Sequence, residues 1–145
     1  MRPDPITVFV VEDHPAVRDS LAALLDVSDG LELWGTAESG RDALDQLGQA
    51  GDRALPTVAL VDLSMPGMDG IELIGLLHEA WPALACVVLS AHRAAVYSGR
   101  AQEAGARGYV EKGNLGVLVD VLRDVGEGRH TWAAQPGGRS GGFVR

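Results

Sequence analysis

The amino-acid sequence predicts an α/β domain, a doubly wound sheet of five parallel strands with five helices. Two observations carry this. Short apolar runs of about five or six residues alternate five times with longer segments of helical period, which is the βα rhythm of a parallel sheet. Four of the five runs also end on polar or charged side chains, at the strand edge where open α/β sheets keep their chemistry.

The first strand is read from Ile6 to Val11, ending at Glu12 and Asp13. A first helix follows, with Val17, Leu21, Leu24 and Leu25 on one face. The second strand, Leu31 to Ala37, leads to a helix whose buried stripe is Leu44 and Leu47 and whose start resembles a capping box, Ser39 with Asp42. The third strand, residues 57–62, ends on Asp62 just ahead of the turn Met65-Pro66-Gly67-Met68-Asp69-Gly70. The third helix runs from about Gly70 to Ala80 with Leu73, Ile74, Leu76 and Leu77, and stops before Pro82, whose ring disfavours helix in the residue ahead of it. The fourth strand, Ala85 to Ser90, contains the single cysteine, Cys86, which is expected to be a buried structural thiol.

The fourth helix, Ala94 to Ala104, offers mainly Val96 and Tyr97 as large groups and has Gly99 inside it, at about 1 kcal/mol against alanine. It is expected to be among the less firmly held elements, and a moving part. The fifth strand, residues 108–112, ends on Lys112. The fifth helix, residues 115–125, is apolar over more than one face. Leu115, Leu118 and Leu122 make one stripe, with Val117 and Val121 beside it, and the surplus predicts a partner such as a second copy.

Length and charge narrow the function classes. The 145 residues, 46% hydrophobic, fill one core, so residues 1–127 are read as one domain and 128–145, rich in glycine with scattered arginine, as a flexible tail or interdomain linker. A formal charge of −8 repels the nucleic-acid backbone, so the chain alone is not expected to bind DNA or RNA. No membrane span and no signal peptide are read, and the cytoplasm is the expected compartment. Trp34, Trp81 and Trp132 show no pattern for stacking single-stranded nucleic acid.

In a five-stranded doubly wound sheet of order 2-1-3-4-5 the first and third strands are neighbours at the switch point, and Asp13 and Asp62 would then face each other across a crevice. Glu12, Asp13 and Asp62 supply the hard oxygens that Mg²⁺ prefers. A carboxylate can also attack phosphorus to form an acyl phosphate, provided a metal and a cation neutralise the transferred group. Lys112 is the cation on offer, and the Ser90 hydroxyl is a donor to a phosphoryl oxygen. His14 follows the acids but is read as a loop residue, because one imidazole among hard oxygens suits a softer metal than Mg²⁺. His92 is placed near the mouth of the site or on the surface.

Glu12-Asp13, Asp62 within Val61-Asp62-Leu63-Ser64-Met65-Pro66-Gly67-Met68-Asp69-Gly70, Ser90-Ala91, and Tyr109 three residues before Lys112 together resemble a response-regulator receiver domain of two-component signalling. The intervals are 62 − 13 = 49, 90 − 62 = 28 and 112 − 90 = 22 residues, and the likeness spans residues 5 to about 127. The turn after Asp62, with Ala-Gly-Ala-Arg-Gly-Tyr-Val-Glu-Lys later, is most similar to the NarL/FixJ group, whose members usually carry a C-terminal LuxR-type helix-turn-helix.

The resemblance implies a flavodoxin-like, CheY-like fold and a phosphoprotein rather than an enzyme with turnover. Asp62 would be the phosphoacceptor, charged by a histidine kinase or a small phosphodonor. Glu12, Asp13, Asp62 and the Ser64 backbone carbonyl would hold Mg²⁺, while Ser64, Ala91 and Lys112 would bind the phosphoryl group. Ser90 and Tyr109 would be the switch, moving together and reshaping the face of the fourth helix, fifth strand and fifth helix. Dimerisation is expected through helices 1 and 5 or through that face, with transcription regulation as the output. Such chains continue into a DNA-binding domain, which this chain, ending at Arg145, is read as lacking.

Many receivers place a proline after the lysine, whereas Gly113 follows Lys112, which predicts a looser loop and a less well aimed amine. That departure keeps open an atypical receiver acting as a phosphorylation-independent interaction module. A hydrolase with Asp62 as nucleophile is disfavoured, because phosphatases of that type usually carry a second aspartate where Ser64 stands.

Overall fold

A computed structural model describes residues 4–131. The elements run β1 (Ile6–Val11), α1 (Pro15–Asp26), β2 (Leu31–Ala37), α2 (Gly40–Gly48), β3 (Val58–Asp62), α3 (Gly70–Ala80), β4 (Ala85–Ser90), α4 (Ala94–Ala104), β5 (Gly108–Glu111), a 3₁₀ segment (Lys112–Val117) and α5 (Leu118–Gly126). The five strands form one sheet in the order β2-β1-β3-β4-β5, and every pairing is parallel. The predicted fold class and strand order hold.

Both faces of the sheet are covered, so its central strands are apolar throughout rather than alternating. On one face Phe9, Val11, Ala59, Val61 and Val88 pack under α2, α3 and α4. On the other, Val8, Val10, Leu60, Val87 and Leu89 meet Leu21 and Leu25 of α1 and Leu118, Val121, Leu122 and Val125 of α5. Cys86 is buried in the first of these layers, and burial pushes its thiol up to about 12, as a structural cysteine requires. At α2 the expected cap is present: the Ser39 hydroxyl accepts from Asp42 N at 3.0 Å, and Asp42 Oδ2 accepts from Glu38 N at 3.2 Å.

Two expectations at the carboxyl end need correction. The fifth helix begins at Leu118 rather than 115, because Gly113, Asn114 and Gly116 are weak helix formers and Asn114 sits at φ −131°, ψ 53°. Its apolar surplus also has an occupant within the chain. Leu118, Val121, Leu122 and Val125 are all buried, Val117 and Val119 pack against the same layer, and Leu115 alone of the stripe is exposed, at 39%. The surplus therefore gives no reason to expect a second copy on this helix.

By contrast α4 is as thinly held as expected. It buries only Ala94 and Ala101, its first turn has no side-chain cap of its own, and Val96 is 65% exposed.

Of the segment read as a tail, residues 128–131 are described. Arg129 pairs with Asp124 and Glu127, and Thr131 donates its N–H to Arg107 O at 2.8 Å and bridges Gly108 at the edge of β5. Trp132 and the rest of that segment lie outside the described residues.

Candidate functional site

Parallel pairing sets Val11 of β1 opposite Val61 of β3, so the residues one step further, Glu12 and Asp62, emerge side by side. Both are nearly sealed from solvent, at 1% and 2% exposure. The loop after β3 is locked behind them. Gly67 turns it at φ +82°, a conformation that costs other residues, and Gly70 lies so close that a Cβ there would overlap the Asp62 carbonyl. Asp69 then caps α3 by accepting from Glu72 N at 2.8 Å.

Lys112 reaches this pair from the end of β5. Its Nζ is 3.1 Å from Glu12 Oε1 and 3.5 Å from Asp62 Oδ1. The amine thus reaches into the crevice although Gly113 follows it, where a less well aimed side chain is expected. Asp62 Oδ1 also accepts from Ser64 N at 3.2 Å, while Oδ2 is buried with no hydrogen-bond partner among the described residues.

The three charges shift one another. Burial, and then the neighbouring Glu12 carboxylate, push Asp62 up to about 6, with Lys112 and the Ser64 N–H pulling the other way. Burial also works to raise Glu12, but hydrogen bonds from the His14 backbone and ring, with Lys112, outweigh it and hold Glu12 below the usual range. Lys112 is raised: burial opposes its charge, yet Asp62 and Glu12 more than offset that.

His14 stands in the loop between β1 and α1, as expected, and its ring turns towards the acids: Nδ1 lies 3.1 Å from Glu12 Oε2 and 3.2 Å from Asp13 Oδ1, a closeness not expected from the sequence. One ligand atom from each of Glu12, Asp13, His14 and Asp62 lies within 4.8 Å of the others. The visible signal was Pro15, which starts α1 and holds the residue before it extended. Three carboxylates, with the buried, unpartnered Asp62 Oδ2 among them, fit a hard divalent cation such as Mg²⁺.

Ser90 and Tyr109 form an adjoining group rather than part of the acid cluster. Both are fully buried. Ser90 Oγ accepts from His92 N at 2.9 Å, and the Tyr109 hydroxyl donates to His92 O at 3.1 Å, so the tyrosine is already inward. Burial is the main reason its phenol is raised, with the Ser90 hydroxyl bonding it the other way. Ala91 follows, exposed, at the strand end. Ser64, also exposed, has its Oγ 3.5 Å from His92 Nε2, at a cavity that Asp69, Tyr97 and Arg100 help to line.

A contact missed from the sequence ties this group to α4: Glu111 Oε2 accepts from Ala94 N at 2.9 Å and so caps the helix from β5. A carboxylate there also suits the helix dipole.

The family model for the response regulator receiver domain matches residues 8–123. Among curated relatives, the transcriptional regulatory protein MctR of Rhizobium johnstonii is 36% identical over 124 residues, covering 85% of this chain and 56% of MctR. The DNA-binding transcriptional activator DevR/DosR of Mycobacterium tuberculosis is 36% identical over 125 residues, covering 86% of this chain and 56% of its own. The chain thus spans a little over half the length of these relatives. Among solved structures, the NarL signal receiver domain from Mycobacterium tuberculosis is 30% identical with a TM-score of 0.78, covering 88% of this chain and all of that one. A LuxR-family two-component response regulator from Aurantimonas sp. SI85-9A1 is 26% identical with a TM-score of 0.79, covering 88% and 89%. Its fold, its matched residues and these relatives agree, and the chain belongs to the response-regulator receiver-domain family, with NarL-type transcriptional regulators among its relatives.

Proposed function

We propose that Asp62 is the residue that accepts a phosphoryl group, from a histidine kinase or a small acyl phosphate, and that the modification sets the contacts of α4, β5 and α5. The observation that carries this reading is the pairing of Lys112 with both Glu12 and Asp62 beside an unpartnered, buried Asp62 Oδ2. In the reaction a carboxylate oxygen of Asp62 attacks phosphorus in line and the donor's P–N or P–O bond breaks, its electron pair leaving with the donor. Lys112 meets the charge of the phosphoryl oxygens as they arrive, and the Ser64 N–H holds Asp62 in position. Mg²⁺, held by Glu12, Asp13, Asp62 and the Ser64 carbonyl, would neutralise charge on the transferred group. The Ala91 N–H lines the approach, and later attack by water restores the carboxylate.

The readout uses Ser90 and Tyr109. A phosphoryl oxygen draws the Ser90 hydroxyl from the His92 N–H, and the Tyr109 bond to the His92 carbonyl feels the change. Because α4 starts two residues later and is thinly buried, it is the element that yields. The signal would pass to a DNA-binding output domain, as the relatives' names suggest, or to a second copy through this face. A phosphorylation-independent module is less favoured, since a buried, charge-shifted pocket has no use in it.

Incubation with acetyl phosphate and Mg²⁺ should add one phosphoryl mass to the wild type and none to Asp62→Asn. Lys112→Met should be modified about 100-fold more slowly or worse, the usual penalty for losing a charge-stabilising donor. An unmodified wild type refutes the reading, and equal mass on Asp62→Asn refutes the site.

A further inference from the structure

His14 is unsuited to Mg²⁺ by the chemistry of its donor, yet the fold turns its ring into the acid cluster. It makes no side-chain cap for α1, the role usual at that position, and Nδ1 points at Glu12 and Asp13 instead. Pro15 confines its backbone to the extended region, where it sits at φ −85°, ψ 117°, so little freedom remains to be lost on binding.

One ion could take all four residues with side-chain movements of a few tenths of an ångström. Ligands each about 2.0 to 2.2 Å from a metal stand roughly 3 to 4.4 Å apart, and one atom from each of Glu12, Asp13, His14 and Asp62 falls within 4.8 Å of the rest. Asp62 Oδ2, 98% buried with its residue and without a partner, is the second sign of an open coordination position. Taking an ion means that Nδ1 gives up its hydrogen bond to Glu12 Oε2; the ring is 65% exposed, so in water the proton can sit on Nε2 while Nδ1 offers its lone pair.

We infer that the pocket is a mixed nitrogen and oxygen site, in which His14 Nδ1 joins the three carboxylates and tilts selectivity from Mg²⁺ towards a first-row transition ion. Imidazole strengthens binding along the series from Mn²⁺ to Co²⁺ and Ni²⁺ far more than it does for Mg²⁺. Such an ion would occupy the carboxylates that Mg²⁺ uses and so compete with it, making metal availability a second input to the same pocket. The inference rests on the proposed reading of the cluster as a cation site.

The full chain is titrated by calorimetry with Co²⁺ alone, with Mg²⁺ alone, and with Co²⁺ against excess Mg²⁺, with Co²⁺ absorption as a second signal. The expected result is one Co²⁺ site at least tenfold tighter than the Mg²⁺ site and emptied by excess Mg²⁺. His14→Ala and His14→Gln should each lower Co²⁺ affinity at least about tenfold, as losing a contact to a metal does, and change Mg²⁺ affinity less than twofold. Unchanged Co²⁺ affinity in both variants overturns the proposal, as does an equal loss for both ions. Co²⁺ that Mg²⁺ cannot displace also overturns it, placing the ion at His78, His92 or His130. Mg²⁺-dependent phosphorylation of Asp62 is read by added mass and the Co²⁺ site by calorimetry, so the two readings fail separately.

Discussion

Replacing Asp62 by asparagine keeps the shape of the side chain and removes the buried charge, and the structure says that this should stabilise the fold. An acid at about 6 in the folded state against its ordinary 3.8 is destabilising when ionised. At about 1.4 kcal/mol per pH unit the cost is about 3 kcal/mol at pH 7. Because the folded value is raised, the cost is complete above about pH 6 and fades as pH falls towards 3.8. The asparagine oxygen can still accept from Ser64 N, and its amide faces the Glu12 and Asp13 oxygens, so little is lost in exchange. An imperfect bond for the buried amide would subtract about 1 kcal/mol. Urea unfolding without divalent ions should therefore find Asp62→Asn more stable than wild type by about 2 kcal/mol at pH 7, with the gap closing by about pH 4. Addition of Mg²⁺ should raise the wild type and leave the variant nearly unmoved. A variant less stable than wild type at pH 7, or a gap that does not change with pH, would refute the account of a strained, cation-seeking carboxylate.

Two glycines give opposite outcomes. Gly70→Ala sets a Cβ against the Asp62 carbonyl and 2.7 Å from Leu63 Cα, both backbone, so it should cost about 1 to 3 kcal/mol in urea unfolding. Because the clash moves Asp62 itself, the rate of phosphorylation should fall by about 100-fold in the same mass assay. Gly99→Ala meets nothing within 4 Å in the middle of α4 and should raise stability by about 1 kcal/mol with the initial phosphorylation rate unchanged.

How far the sequence could be read depends on the range of the interaction behind each feature. Three of the strands and the third and fourth helices fall at the residues the period indicates, and the other two strands within one residue, because burial on both faces of a sheet demands continuous apolar runs. The expected Ser39 cap also formed, being a bond between residues three apart. The start of α5 was misjudged because apolar spacing outweighed Gly113, Asn114 and Gly116, whose poor propensity decides a helix end. That the apolar surplus of α5 is covered within the chain was not legible for another reason: how wide a stripe the sheet and α1 can cover is a property of packing, not of one helix.

In the site, the sequence by itself determined which candidate residues stand at the strand ends, since strand ends follow from local pattern and a parallel sheet follows from the βα rhythm, while the order 2-1-3-4-5 that makes β1 and β3 neighbours came with the family resemblance. Tertiary structure alone decided how those side chains meet. It put Lys112 between Glu12 and Asp62 across strands distant in sequence, raised Asp62 by burial, turned His14 inward, and let Glu111 cap α4. Charge interaction depends on separation and on exclusion of water, and neither exists until the chain has folded.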